Sequence, residues 1–342
     1  MRYMAKAVKL ADIAERLDVS TVTVSKALSN QKGVSEEMRA KIKQLADELG
    51  YVPPSAGRRA KEQKSYNIGV IIAEQFLDTG ESFYWQMYQM VTTKAVSKGC
   101  FTMLEVISKQ DETELNMPKL VQEQKVDGVV VIGRMNTEYL SALDENSKIP
   151  TVYMDFYDET KDCDAVISDS FYGMYRMVNY LFSMGHEKIA YVGTLLSTGS
   201  ITDRYFGYAK ALLEHGQRVR EDWVINDRRI ETGKLDRENM LQLPKDMPTA
   251  FACNCDFTAY EVIKKLKAAG YRVPEDISVV GYDNYLYPGL SDVAITTYEV
   301  DMKEMARRAI HTIVRKISGD NYRKGVFVVE GHPVYKESVL PR

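Results

Sequence analysis

From Tyr66 onward the chain alternates short β-branched runs with helical stretches, and this alternation limits the possible folds more than any other feature. The runs are Ile68–Ala73, Val126–Ile132, Thr151–Asp155, Ile189–Val192 and Ile277–Val280. Strands apolar on both faces and joined by crossover helices build parallel sheets covered on both sides. The spacing therefore predicts a doubly wound α/β body. Residues 66–342 are too many for one such sheet, so two lobes are expected, with a cleft between them. Ligands of doubly wound sheets bind beyond the carboxyl ends of the strands, which makes that cleft the expected sensor site.

The first 50 residues follow a helical period instead. Leu10, Ile13, Ala14 and Leu17 form one stripe, Val24 and Leu28 a second, and Ile42, Leu45, Ala46 and Leu49 a third. Ser20 and Ser35 stand where N-caps would open the second and third helices, and Gly50, Pro53 and Pro54 close the third. The segment Val8–Leu28 carries a helix-turn-helix pattern, with a small Ala14 where the second helix crosses and with Val19 and Val24 between the helices. Thr21, Val22, Ser25 and Lys26 then face outward near the start of the second helix. Their methyls suit a thymine methyl, their hydroxyls suit bases or phosphate, and the ammonium suits a guanine or the backbone. A short helical bundle with a polar face would show the same periodicity.

Charge separates the two parts. The chain carries net −3, but residues 1–64 hold 13 Lys/Arg against 8 Asp/Glu, so a basic head precedes an acidic body. A basic head suits a polyanionic partner such as double-stranded DNA. No apolar run approaches the roughly 18 residues of a membrane span, and the N-terminus lacks the apolar stretch of a signal peptide, so no membrane partner and a cytoplasmic location are expected.

Cys100, Cys163, Cys253 and Cys255 read as reduced thiols; alternation along a strand would put Cys253 and Cys255 on one face with no third metal ligand nearby. No dinucleotide fingerprint, P-loop, nucleophile elbow or paired metal ligands occur, and His186, His215, His311 and His332 are dispersed, so neither an enzyme nor a bound cofactor is expected. An exported solute-binding protein would share the two lobes but would have no use for the head.

The run Leu10-Ala11-Asp12-Ile13-Ala14, Val19-Ser20, Thr23–Leu28, Val34-Ser35, Arg39 and Leu49–Pro53 closely resembles the DNA-binding head of the lactose-repressor/galactose-repressor family. The resemblance continues through Ile68–Ile72, Val126–Val129, Met184–Ala190, Arg204–Tyr208 and Val273–Asn284. It implies a helix-turn-helix head (1–53), a hinge or linker (54–65), and a periplasmic-binding-protein-like effector and dimerisation domain (66–342). Lobe one is expected over about 66–163 and 297–322, and lobe two over about 164–296 and 323–342. It also implies a homodimer reading a palindromic operator, with repression as the family's habit. In the family a hinge helix wedges a leucine into the minor groove. Here Pro54, Gly57 and Ala60 depart from that pattern; Arg58 and Arg59 remain able to follow the backbone or enter a narrow minor groove.

The resemblance implies ligand contacts as well. Arg204 matches the arginine that clamps a hydroxyl or carboxylate, and Asp283 matches the acid that accepts bonds from sugar hydroxyls or base nitrogens. Asp256 opens a helix after a strand, a position that suits an N-cap as well as a ligand. Cys255 stands where the lactose repressor offers Asn, and Tyr172 where it offers Asp. Phe83, Tyr84 and Trp85 form an aromatic segment that either packs the helix it opens or stacks on a planar or pyranose ligand. A carbohydrate effector is expected, with a nucleobase or nucleoside as the alternative.

Overall fold

A computed structural model of the chain describes residues 8–49, 51, 65–77, 82–230, 233, 236, 238–285 and 291–342. The chain divides into two compact units, residues 1–65 and residues 66–342. Gly50, Pro53, Pro54, Gly57, Ala60 and the two arginines Arg58 and Arg59 lie outside the described residues.

The first unit holds helices α1 (Leu10–Arg16), α2 (Thr21–Leu28) and α3 (Glu36–Glu48). Ile13, Ala14, Val24, Ala27, Ile42 and Ala46 form its buried core, one apolar stripe from each helix. Ser20 accepts the Thr23 amide at 3.1 Å and Ser35 accepts the Met38 amide at 3.4 Å, so both serines are the caps their positions suggest. The α1–α2 turn runs through Asp18 at φ 51°, a left-handed conformation that Asp tolerates better than most residues. Arg39 reaches from α3 to the end of α2 and donates to the Ala27 carbonyl at 3.2 Å and the Gln31 carbonyl at 2.9 Å. It satisfies acceptors that a helix C-terminus leaves open.

The body contains two parallel sheets. In the first, β1 (Asn67–Ala73), β2 (Phe101–Ile107), β3 (Gly128–Ile132), β4 (Thr151–Met154), β5 (Ala165–Ser168) and β11 (Val326–Val329) lie in the order β11-β5-β4-β3-β1-β2. The second has the order β7-β6-β8-β9, from β6 (Ile189–Val192), β7 (Val224–Ile225), β8 (Ala250–Cys253) and β9 (Ser278–Val280). A small antiparallel pair, β10 (Thr297–Glu299) with β12 (His332–Val334), completes the strands among the described residues. Two parallel-sheet lobes are what the alternation required.

The lobe boundaries need correction. The expected break near residue 164 assigned Ala165–Ser168 to lobe two, and the break near 323 did the same for Val326–Val329. In the structure β5 pairs with β4, and β11 pairs with β5, so both strands extend the first sheet. The chain therefore crosses after each of these strands, not before, because their backbone groups complete the first sheet's hydrogen-bond ladder. Helix α8 (Ser170–Ser183) begins directly after β5 and packs on α9 (Gly199–Glu214) of the second lobe. That contact is close enough that a Cβ on Gly207 would collide with the Phe171 carbonyl. The return crossing runs through Val300 into α11 (Met302–Ser318), which covers β3, β4 and β5. One apolar cluster reaches through both lobes, from Ile68 and Val130 to Tyr191 and Tyr208.

Candidate functional site

Helix α2 presents the head's outward face. Thr21, Val22, Ser25 and Lys26 are exposed, while Val24 and Ala27 between them are buried. An apolar Val22 that is 59% accessible sits at the helix N-terminus, where free amides and the positive end of the dipole favour phosphate. Ser20 is exposed too, but its hydroxyl is engaged with Thr23, accepting the amide and meeting Oγ1 at 2.9 Å.

In the body, strand carboxyl ends and helix N-termini converge on a cavity open to solvent. Tyr84, on α4 (Phe83–Val96), and Phe156 and Tyr157 after β4 supply rings; Ser168, Ser170, Thr198 and Ser200 supply hydroxyls; Asp155, Glu159, Asp203 and Arg134 supply charge. Asp155 sits immediately beyond β4 at φ 71° and accepts a bond from Tyr84 Oη at 3.0 Å. Burial pushes its carboxyl up to about 6, against the pull of Arg204. The Tyr84 hydroxyl is raised by burial and by the neighbouring Asp155.

Arg204, in the second turn of α9, is buried. Its Nη1 donates to the Asn254 carbonyl at 2.5 Å, its Nη2 to Asp283 at 3.1 Å, and its guanidinium lies 3.8 Å from the centre of the Tyr282 ring. Nε has no hydrogen-bond partner among the described residues. Asp283 holds φ 95°, and burial raises its pKa while Arg204 and Arg228 lower it. Beside them Asp227 accepts from the Thr194 amide, Thr258 Oγ1, Asn254 Nδ2 and Arg228. Burial works to raise Asp227, and Arg228 with these donors outweighs it, lowering the pKa to about 2. Cys255 caps α10 (Asp256–Ala268) through its sulfur, which accepts the Thr258 amide at 3.4 Å, and Arg228 lies against that sulfur. The strand thus ends at Cys253, and the alternation expected to align the two cysteines on one face stops short of Cys255.

Arg204 and Asp283 are ion-paired, both act on the Tyr84 hydroxyl, and Asp283 acts on Cys255; of these four, Tyr84 lines the cavity. Phe83 packs edge-on behind Tyr84, with ring centres 5.4 Å apart, as a support for that ring. Asp256 lies near enough to feel the charge of Asp283. Its Oδ2 accepts the Tyr285 amide at 2.9 Å, fastening the loop after β9, and the cap of its helix is Cys255. Tyr172 is displaced. It lies in the first turn of α8, exposed, its ring stacked 6.2 Å from Tyr175, because Asp169 caps the helix and turns the third residue toward solvent. The acid facing Arg204 from the first lobe is Asp155 instead. It ends the run Thr151–Asp155, and the rule that ligands meet strand carboxyl ends would have found it. Asp203 and Arg228 carried no comparable sequence signal.

A three-helix head exposing the start of its second helix, joined to a two-lobed parallel-sheet body with a polar cleft, defines a DNA-binding transcriptional regulator with a periplasmic-binding-protein-like body. The chain belongs to the lacI family of bacterial regulatory proteins: residues 9–54 match that family, and residues 178–339 match the periplasmic binding protein-like domain. It is 27% identical over 333 residues to the HTH-type transcriptional repressor PurR of Aliivibrio salmonicida, covering 96% of this chain and 98% of the relative. To the protein of the same name from Pectobacterium carotovorum it is 29% identical over 332 residues, covering 96% and 95%. The fold matches that of the transcriptional regulator CelR in complex with cellobiose (TM-score 0.68, 22% identity, 97% and 99% covered). It also matches the lac repressor dimer bound to operator and the anti-inducer ONPF (TM-score 0.64, 23% identity, 98% and 100% covered). Among the described residues no helix is long and apolar enough to cross a membrane.

Proposed function

We propose that this regulator is a repressor that binds a palindromic operator as a homodimer, in the cytoplasm, and releases or tightens its hold when a small molecule occupies the cleft. Arg204 carries the reading: a buried arginine with an unpartnered Nε, held between Asn254 and Asp283 and facing Asp155 of the other lobe. A ligand engaging this group touches both lobes, and so changes the energy of their relative arrangement. Ring walls with hydroxyls between them suit a carbohydrate first. The flat faces of Tyr84, Phe156 and Tyr157 favour, as the second reading, a nucleobase or nucleoside.

On the head, Thr21, Val22, Ser25 and Lys26 read base edges and phosphates, Ser20 positions the helix that carries them, and Arg58 and Arg59 of the linker follow the DNA backbone. Selection of randomised duplexes with the full-length protein at moderate salt tests the reading. Enrichment of an inverted repeat supports a dimer with two heads, since half-site symmetry mirrors protein symmetry. Enrichment of a single half-site overturns the dimer, and failure to enrich any sequence, with or without metabolite extract, overturns operator recognition.

A further inference from the structure

Among the described residues, three arginines at or beside the cleft are ion-paired. Arg204 pairs with Asp283 at 3.1 Å, Arg228 with Asp227 at 2.8 Å, and Arg134 with Glu159 at 3.2 Å. Two carboxylates on the cavity wall are left over. Asp155 accepts a side-chain bond from Tyr84 alone among the described residues, and Asp203 has no ion pair among them. Arg204 is near enough to lower the pKa of both, yet its two terminal nitrogens are committed elsewhere.

Two helix N-termini also face the cavity, at Ser170 of α8 and at Thr198 to Ser200 of α9. Each contributes roughly half a positive charge. Asp169 caps the first, and Asp203 stands in the second turn of the other, so the balance of the wall stays negative.

We propose that the cleft selects effectors whose ring carries a protonated amine or only neutral donors, and rejects phosphate esters and carboxylates of the same skeleton. This rests on the reading of the cleft as the effector site. An ammonium finds two carboxylates that no ion pair among the described residues engages. Among the described residues a phosphate finds no cation outside an ion pair, and it must approach both acids in a site where charge is poorly screened.

Calorimetric titration of the full-length protein with matched sets tests this: glucose, glucosamine and glucose 6-phosphate; cellobiose and cellobionate; adenosine and adenosine 5′-monophosphate. Within a set that binds, the amine or neutral member is expected to bind about 100-fold more tightly than the anionic one, the scale of a like-charge contact. Asp155→Asn and Asp203→Asn, made singly so that one misfolded variant leaves the other readable, are each expected to cut that ratio about tenfold. An anionic member that binds as tightly as its parent overturns the proposal and leaves the cleft as effector site. A ratio unchanged in both variants overturns the assignment to these acids. No binding in any set overturns the cleft reading itself, and the proposal with it.

Discussion

A carboxylate held in a cleft against few donors is poised for a ligand at the expense of the fold, and Asp155 is such a group. Its folded-state pKa, about 6, lies above the ordinary carboxylate value, so the folded protein holds a proton that the unfolded chain has released. The stability this proton confers is complete below about pH 4 and is lost as pH rises through about 6. Asp155→Asn is therefore expected to stabilise the body by about 3 kcal/mol at pH 7.5 and by little at pH 4, measured by denaturant unfolding of the ligand-free protein. Equal stabilities at pH 7.5 would show that the carboxylate is well solvated. The groups facing it are Tyr84 from α4, Arg204 from α9 and Asp283 after β9. In the head, exposed Lys26 acts as a single phosphate or base contact. Lys26→Ala should weaken operator binding and reduce the magnitude of the salt slope by about 1, read by fluorescence anisotropy across a salt series. An unchanged affinity and slope would remove Lys26 from the interface.

At the scale of elements, three strand ends and one helix of the second lobe are tied together by one acid. Asp227, just past β7, accepts from Thr194 after β6, from Asn254 after β8, and from Thr258 on α10. Arg228 beside it is partly buried and depends on that charge. Removing one partner of a buried pair leaves the other charge uncompensated. Asp227→Ala should cost about 3–5 kcal/mol, seen as a large fall in the body's thermal midpoint, and a midpoint within a degree of the parent's would refute the network's role. The pKa of about 2 gives the pH sense: this contribution is present above about pH 4 and is lost as pH falls through 2. The helices of the head were legible at this scale because capping and burial are local. Ser20, Ser35, Ile13, Val24 and Ile42 each act within a turn or against a neighbouring helix. The stretch Val126–Ile132 was legible as a strand, but its start at Gly128 was not. Gly128 lies against Ile317 of α11, whose side chain a Cβ there would press, and that contact joins residues far apart in the chain.

At the scale of the whole molecule, the cleft exists only because the chain crosses between the lobes after β5, before α11 and after β11. Arg204 then meets Asp283 after β9 and is near Asp155 of the other lobe. Arg204→Ala is expected to abolish the effector response while leaving operator affinity within about threefold, below the tenfold that 1.4 kcal/mol represents; a variant that still responds normally would exclude Arg204 from the sensor. The sequence by itself determined the periods: three helical stripes and a basic charge in the head, β-branched runs and crossover helices in the body, the caps, and the residues Thr21, Val22, Ser25 and Lys26 that α2 turns outward. Such features follow from neighbours within a few residues, which the sequence displays directly. Only the tertiary structure decided that Ala165–Ser168 and Val326–Val329 complete the first sheet, that Asp155 and not Tyr172 faces Arg204, and that Asp256 fastens a loop. Those outcomes depend on which backbone edges remain to be paired and which charges are brought together from distant positions, energies that come into being only when the chain has closed on itself.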